Sequence, residues 1–95
     1  MKPKNIIYLV VFLLSLNIVY ATDIAYVVND VDISNKVTSV INDLGLSYDI
    51  INDNEITNTN FSDFKIILVG NSVFTNVNNI PVNQYNSIVM NQRYV

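Results

Sequence analysis

Ninety-five residues make at most one small domain. Eight acidic residues against five basic give a net charge of −3, which argues against a nucleic-acid binder working through a basic face. Cysteine and histidine are absent altogether. That excludes disulfide bracing, thiolate nucleophiles and imidazole as a general base or metal ligand.

The first 21 residues read apart from the rest. Met1-Lys2-Pro3-Lys4 supplies two positive charges. Residues 6–20 (IIYLVVFLLSLNIVY) are broken only by Ser15 and Asn17, and Val19-Tyr20-Ala21 offers small or medium side chains at the −3 and −1 sites of a cleavage point. A basic start, a short apolar middle and a small-residue exit make a secretory signal peptide. The alternative is an uncleaved anchor helix. Uncharged residues run from Asn5 to Thr22, 18 in all, close to the ~20 that a membrane span needs. The signal peptide is preferred because the purely apolar part is short. Both readings export residues 22–95, secreted or held at the cell surface, and give residues 1–21 the export machinery or the membrane as their partner. The exported part carries Lys36, Lys65 and Arg93 against all eight acids, a net charge of −5. A chain of that size buries only about 60% of its unfolded surface, so the margin for a free-standing monomer is thin.

Residues 24–28 (IAYVV) form a β-branched and aromatic run without alternation, the pattern of a strand buried on both faces of a parallel sheet. A polar loop follows. Val37, Val40, Ile41 and Leu44 then fall at i, i+3, i+4 and i+7, one apolar face of a helix. Ser34 caps its start, with Asp32 as the alternative, and Gly45 sits where a helix ends in a left-handed turn. Residues 46–52 (LSYDIIN) read as a second strand and complete a βαβ unit, with a right-handed crossover expected. The connection DNEITNTNFSDF is too rich in Asn and Thr for a long helix, with Phe61 and Phe64 tucking one turn against the sheet. Residues 65–69 (KIILV) are the third strand. Gly70 is expected to turn the chain sharply after it, with Asn71 hydrogen-bonding that turn. Pro81 opens a short helical turn. Residues 87–91 (SIVMN) read as a fourth strand, against a helical face of Val82, Tyr85 and Val89; the β-branched pair Ile88-Val89 favours the strand.

The fold class is therefore α/β, a small, mostly parallel sheet of three to four strands. Parallel sheets need cover on both faces, and one convincing helix is present. One face is expected to lack cover. The chain is then the N-terminal part of a longer protein, or it dimerises, or the Phe-bearing loops supply the cover. A partial, truncated domain over residues 22–95 is the preferred reading.

Asparagine supplies 16 residues, clustered in INDNEITNTN and NVNNIPVNQYN. Apolar residues interrupt those runs at folding-compatible spacing, so codon bias explains them better than a prion-like tract. Asn60-Phe61-Ser62 matches a glycosylation acceptor, a pattern that chance supplies in a chain so rich in Asn.

Functional groups in an open α/β sheet gather at the carboxyl ends of the strands. Asp30-x-Asp32-x-Ser34 opens like a calcium loop, but the required turn glycine is Asn35 and the bidentate glutamate is Ile41. Asp30 and Asp32 are thus weak metal candidates and no metal site is assigned. A phosphate cradle needs glycines; the first loop has none and two aspartates. Asp30 and Asp32 also resemble the acidic pair of a response-regulator receiver domain, but its phosphoacceptor position reads Gly70-Asn71, and an amide cannot form an acyl phosphate. Ser72 has no histidine or nearby lysine to activate it. Asp53 and Glu55 on a strand would share a side for acid–base work on a glycan, but their Asn-rich surroundings read as an exposed loop. Asn29, Asn71 and Ser72 are left as an edge for a small polar ligand. No catalytic residue and no cofactor is assigned.

SYDIINDNEI followed by FSDFKIILVGN resembles the second strand, short connection and third strand of the class I glutamine amidotransferase-like fold, a flavodoxin-like sheet. VGNSVFTN with IPVNQYNSIVMN is similar to a recurrent stretch of exported archaeal proteins that carry such a domain. The resemblance covers residues 23–92 and implies the amino-terminal half of that sheet. The family's catalytic members use a cysteine on a strand-to-helix elbow with a histidine partner, and this sequence has neither, so no amidotransferase activity is implied. The expected function is a non-catalytic exported interaction or structural module within a larger cell-surface protein, its partner an unidentified protein or a missing C-terminal region. The alternatives are a fragment of a hydrolase or amidotransferase-like enzyme lacking its catalytic half, and a weak small-ligand or cation-binding module on the Asp30, Asp32 and Asn71 edge.

Overall fold

The computed structural model describes residues 22–94; the leader or anchor read in residues 1–21 lies outside the described residues. Four strands, β1 (Thr22–Val27), β2 (Tyr48–Ile51), β3 (Phe64–Val69) and β4 (Ser87–Val89), form one sheet in the order β2-β1-β3-β4. Every pairing is parallel. Each connection is far longer than a hairpin turn, as parallel neighbours require. Strand β1 lies between β2 and β3, with Tyr26 opposite Ile50 on one side and Leu68 on the other.

The unalternating apolar runs are explained by burial on both faces. Ala25, Val27, Ile67 and Val69 point to one face; Ile24, Tyr26, Val28 and Leu68 point to the other. The first face is roofed by Ile56, Phe61, Phe74 and Ile80, with Phe64 and Val77 packed beside them. Apart from Phe64, the first residue of β3, these residues sit on short 3-10 turns, Asp53–Asn58, Phe61–Asp63 and Val77–Asn79, and on the loops between them. Pro81 does open a single turn, its carbonyl accepting from the amides of Gln84 and Tyr85.

The second face holds the helix α1 (Asn35–Asp43). Ser34 caps it, its hydroxyl accepting from the Val37 amide. Its end is a Schellman turn: Gly45 adopts φ +72°, the Gly45 amide donates to the Asn42 carbonyl and the Leu46 amide to Ile41. Helix α1 packs Ile41, Val37 and the flanking Ile33 and Leu46 against β1 and β2. The path β1 to β2 crosses the sheet one way, and β2 to β3 to β4 cross it the other way. Crossings of one hand must then lie on opposite faces, as they do.

Two sequence expectations change here. The face without a helix is not the bare one, because the Phe-bearing turns cover it. The open area lies on the helix's own face, beyond α1, where Val40, Leu44 and Ile88 are more than half exposed. Gly70 does open a tight turn, the Ser72 amide donating to its carbonyl at 3.1 Å, but without positive φ, which among the described residues only Gly45 has. What requires a glycine at position 70 is space. A Cβ there would lie 2.8 Å from Tyr26 Cε1 and 3.1 Å from Val28 Cβ. The Gly70 amide donates to the Val27 carbonyl at 2.8 Å, so β3 cannot back away from β1. Gly70→Ala is predicted to destabilise the domain by about 1–3 kcal/mol, the usual range for overpacking. Urea unfolding of the full chain checks this, and an unchanged midpoint would contradict it.

Candidate functional site

The loops at the carboxyl ends of the strands meet above β1 and β3. Asn29, Asp30, Asp32 and Ser72 are brought together there; Asn71 is not. Ser72 is 1% exposed and fills the crevice between the two central loops. Its hydroxyl accepts from the Asn29 amide at 3.0 Å and donates to Asp32 Oδ2 at 2.8 Å. A serine hydroxyl so enclosed presents no lone pair to a substrate approaching from solvent.

The same closure repeats towards β2. Asn52 Oδ1 accepts from the Asp30 amide at 2.9 Å, and Asn52 Nδ2 donates to Asp30 Oδ1 at 3.2 Å. Glu55 turns back on Asn52, accepting from its Nδ2 at 2.9 Å and its amide at 3.2 Å. Asn29 Oδ1 accepts from the Asp53 amide at 3.0 Å. Asp30 and Asp32 therefore bind different loops instead of converging on one point. Among the described residues no group of three metal-ligating side chains is arranged to hold an ion.

Asp53 ties the loop after β2 to the loop after β3. It accepts from the Thr75 hydroxyl and amide and from the Asn76 amide, while Asn76 Nδ2 donates to its carbonyl at 3.1 Å. The Thr75 hydroxyl, with these amides, holds the Asp53 carboxyl below its ordinary range despite some desolvation. Asp23, at the opposite end of β1, is also lowered, first by the Ser47 amide and then by Lys65, whose Nζ lies 3.1 Å away. Asp53 and Glu55 lie on a 3-10 turn, not a strand, and face different partners, so they do not form an acid–base pair.

The asparagine that organises the end of β3 is Asn91, not Asn71. Asn71 is exposed. Asn91 is 1% exposed, and its Nδ2 donates to the carbonyls of Gly70 and Ser72. Its Oδ1 accepts from the Arg93 amide. Among the described residues no buried side-chain polar atom lacks a partner. The acceptor motif at Asn60 sits on an exposed turn, Asn60 Oδ1 accepting from the Ser62 hydroxyl at 2.6 Å and its amide at 3.3 Å.

The other feature is apolar. A groove of about 440 Å³ runs beside α1 and presents no polar surface. Val37, Val40 and Leu44, with the Lys36 stem, make its wall; Ile66, Leu68, Ile88 and Met90 make its floor. Val40, Leu44 and Ile88 are 57%, 67% and 54% exposed. The stripe was visible in the sequence as the i, i+3, i+4, i+7 set, but the sequence could not show that only Ile41 of the four is fully buried. Among the described residues no helix is long and apolar enough to cross a membrane. No protein-family model, curated protein or solved structure matches the chain.

The Asp53 geometry gives a pH prediction. Its carboxyl titrates lower folded than unfolded, so its contribution is full above the ordinary carboxylate range, about pH 4, and is lost as pH falls through the lowered value. Asp53→Asn is predicted to lower stability at pH 7 by on the order of 1 kcal/mol, the scale of a charge-assisted hydrogen bond. That difference should shrink towards zero in urea titrations taken down to pH 2. Parallel curves for the two proteins would contradict this role.

Proposed function

We propose that residues 22–95 form a non-catalytic exported module that works by holding a protein partner, within a larger cell-surface architecture. The observation that carries this reading is the uncovered apolar groove beside α1. Solvent-exposed apolar surface of this continuity marks interaction sites in soluble proteins. The strand order β2-β1-β3-β4 supports a flavodoxin-like arrangement, whose strands begin in that order. Export rests on the basic, apolar and small-residue pattern of residues 1–21.

The carboxyl edge supports the non-catalytic part of the reading. Its carboxylates, amides and hydroxyls are spent on one another, and the chain has no histidine or cysteine to run acid–base or thiolate chemistry. Such an edge does the work of a clasp: it fixes the loops so that the sheet faces hold their shape.

A photo-reactive residue in place of Ile88, in the full chain in the cell that makes it, tests the reading. It is expected to give one discrete cross-linked species, and the same group at the exposed Ser39 on the outer side of α1 none. Leu44→Glu should abolish that species while leaving stability within about 0.5 kcal/mol, as at an ordinary surface position. Cross-linking that is equal from both positions, or a specific thermal shift with calcium, magnesium or a sugar that Asp30→Asn removes, would overturn it.

A further inference from the structure

Chance supplies an Asn-x-Ser pattern, but the fold decides whether a sugar has room and atoms to meet there. Of the 16 asparagines only Asn60 has Ser or Thr two residues on. The residue between is Phe61, not proline, as an N-glycosylation acceptor requires. Asn60 is exposed and opens the short turn Phe61–Asp63. Both of its side-chain contacts fall on Oδ1, which accepts from the Ser62 hydroxyl and amide. Its Nδ2, the atom that takes a sugar, bonds to nothing among the described residues.

Other asparagines of the loops differ on this point. The Nδ2 of Asn52 donates to Asp30 and Glu55. That of Asn76 donates to the Asp53 carbonyl, and that of Asn91 to the carbonyls of Gly70 and Ser72. A sugar on any of these would displace a hydrogen that holds the loops together. At Asn60 it breaks no hydrogen bond.

The surroundings suit a sugar. Asn60 lines a cleft of about 320 Å³, within the size range of small-molecule sites. Thr57, Asn79, Gln84 and Tyr85 line it too, and none of them is charged. Among the described residues the side chains of these four form no hydrogen bond. That is the reverse of the carboxyl edge, where the polar groups bind one another. Amides and hydroxyls offer donors and acceptors to sugar hydroxyls. Tyr85 is 38% exposed, and its ring gives the C–H side of a sugar an aromatic face to pack on. Ile56 and Phe61, also in the cleft wall, belong to the roof of the first sheet face. The cleft therefore opens away from the groove beside α1 and leaves that groove free.

We infer that Asn60 is an N-glycosylation site whose first sugar seats in this cleft against Tyr85; the inference rests on the reading of residues 22–95 as exported. Phe61 is 5% exposed, so the folded turn cannot be drawn into a transferase, and transfer acts on the emerging chain. The Asn60 Nδ2 attacks the anomeric carbon of an oligosaccharide carried on a lipid phosphate. The C–N bond forms as the anomeric C–O bond breaks. The electron pair of that bond leaves with the phosphate, and one Nδ2 proton passes to a base of the transferase. Folding then locks Phe61 into the roof and brings the cleft wall to the attached sugar.

Intact mass and peptide mapping of the full chain, recovered from the cell that makes it, test the site. A glycan mass is expected on the peptide that contains Asn60. Asn60→Gln and Ser62→Ala should each abolish it, and Ser62→Thr, which keeps the acceptor pattern, should retain it. The glycosylated chain should melt about 4 °C above the same chain made in a host without the transferase, the scale of one added contact in so small a domain. Tyr85→Ala should keep the glycan and erase that difference. An exported chain with a bare Asn60 overturns the inference and leaves the export reading standing. A chain retained inside the cell with a bare Asn60 removes both. A glycan that adds no thermal stability, or whose effect survives Tyr85→Ala, overturns the seat in the cleft.

Discussion

A parallel sheet has to be covered on both faces, and residues 22–94 bring one helix of nine residues to that task. The rest of the structure follows from how the deficit is met. On one face, short 3-10 turns carry Ile56, Phe61, Phe74 and Ile80 onto Ala25, Val27, Ile67 and Val69. Large side chains on short turns take the place of helices. On the other face α1 covers β1 and β2, and the strip over β3 and β4 stays open.

Turns that roof a sheet have to be held in place, since they lack a helix's own ladder of hydrogen bonds. The polar edge supplies that hold. Asn29, Asn52, Asp53, Ser72 and Asn91 each bond to backbone groups of another loop or of a strand end. Polar residues at the carboxyl ends of parallel strands invite a ligand-site reading. Here the same residues secure the roof of an undersized core. The surface left unsatisfied is apolar, and it lies on the opposite side of the sheet from the turns that the clasp secures.

The strands and the helix were legible because burial on both faces and the 3.6-residue period leave direct traces in the sequence. Ser34 and Gly45 were legible for the same reason, since capping is local. Gly70 was marked correctly as special but for a different cause. Its constraint comes from Tyr26 and Val28 on a neighbouring strand, and sequence spacing carries no record of that approach. Asn91 was hidden among 16 asparagines; only its burial separates it from Asn71. The grouping of Asn29, Asp30, Asp32 and Ser72 followed from topology, but whether they face a ligand or one another is a matter of side-chain geometry. The groove was half legible. The helical stripe was read, while the fact that it overhangs β3 and β4 depends on where the other crossings pack.

The central claim is that the carboxyl edge is a closed structural clasp in the protein by itself. Amide hydrogen exchange in the ligand-free full chain tests it most directly. The amides of Asn29, Asp30, Asp53, Thr75 and Asn76 donate to side chains of other loops. The account predicts that these five exchange slowly, with protection approaching that of the Gly70 amide in the sheet. Exchange at the rate of free loops, with protection appearing only on addition of a small molecule or ion, would contradict it.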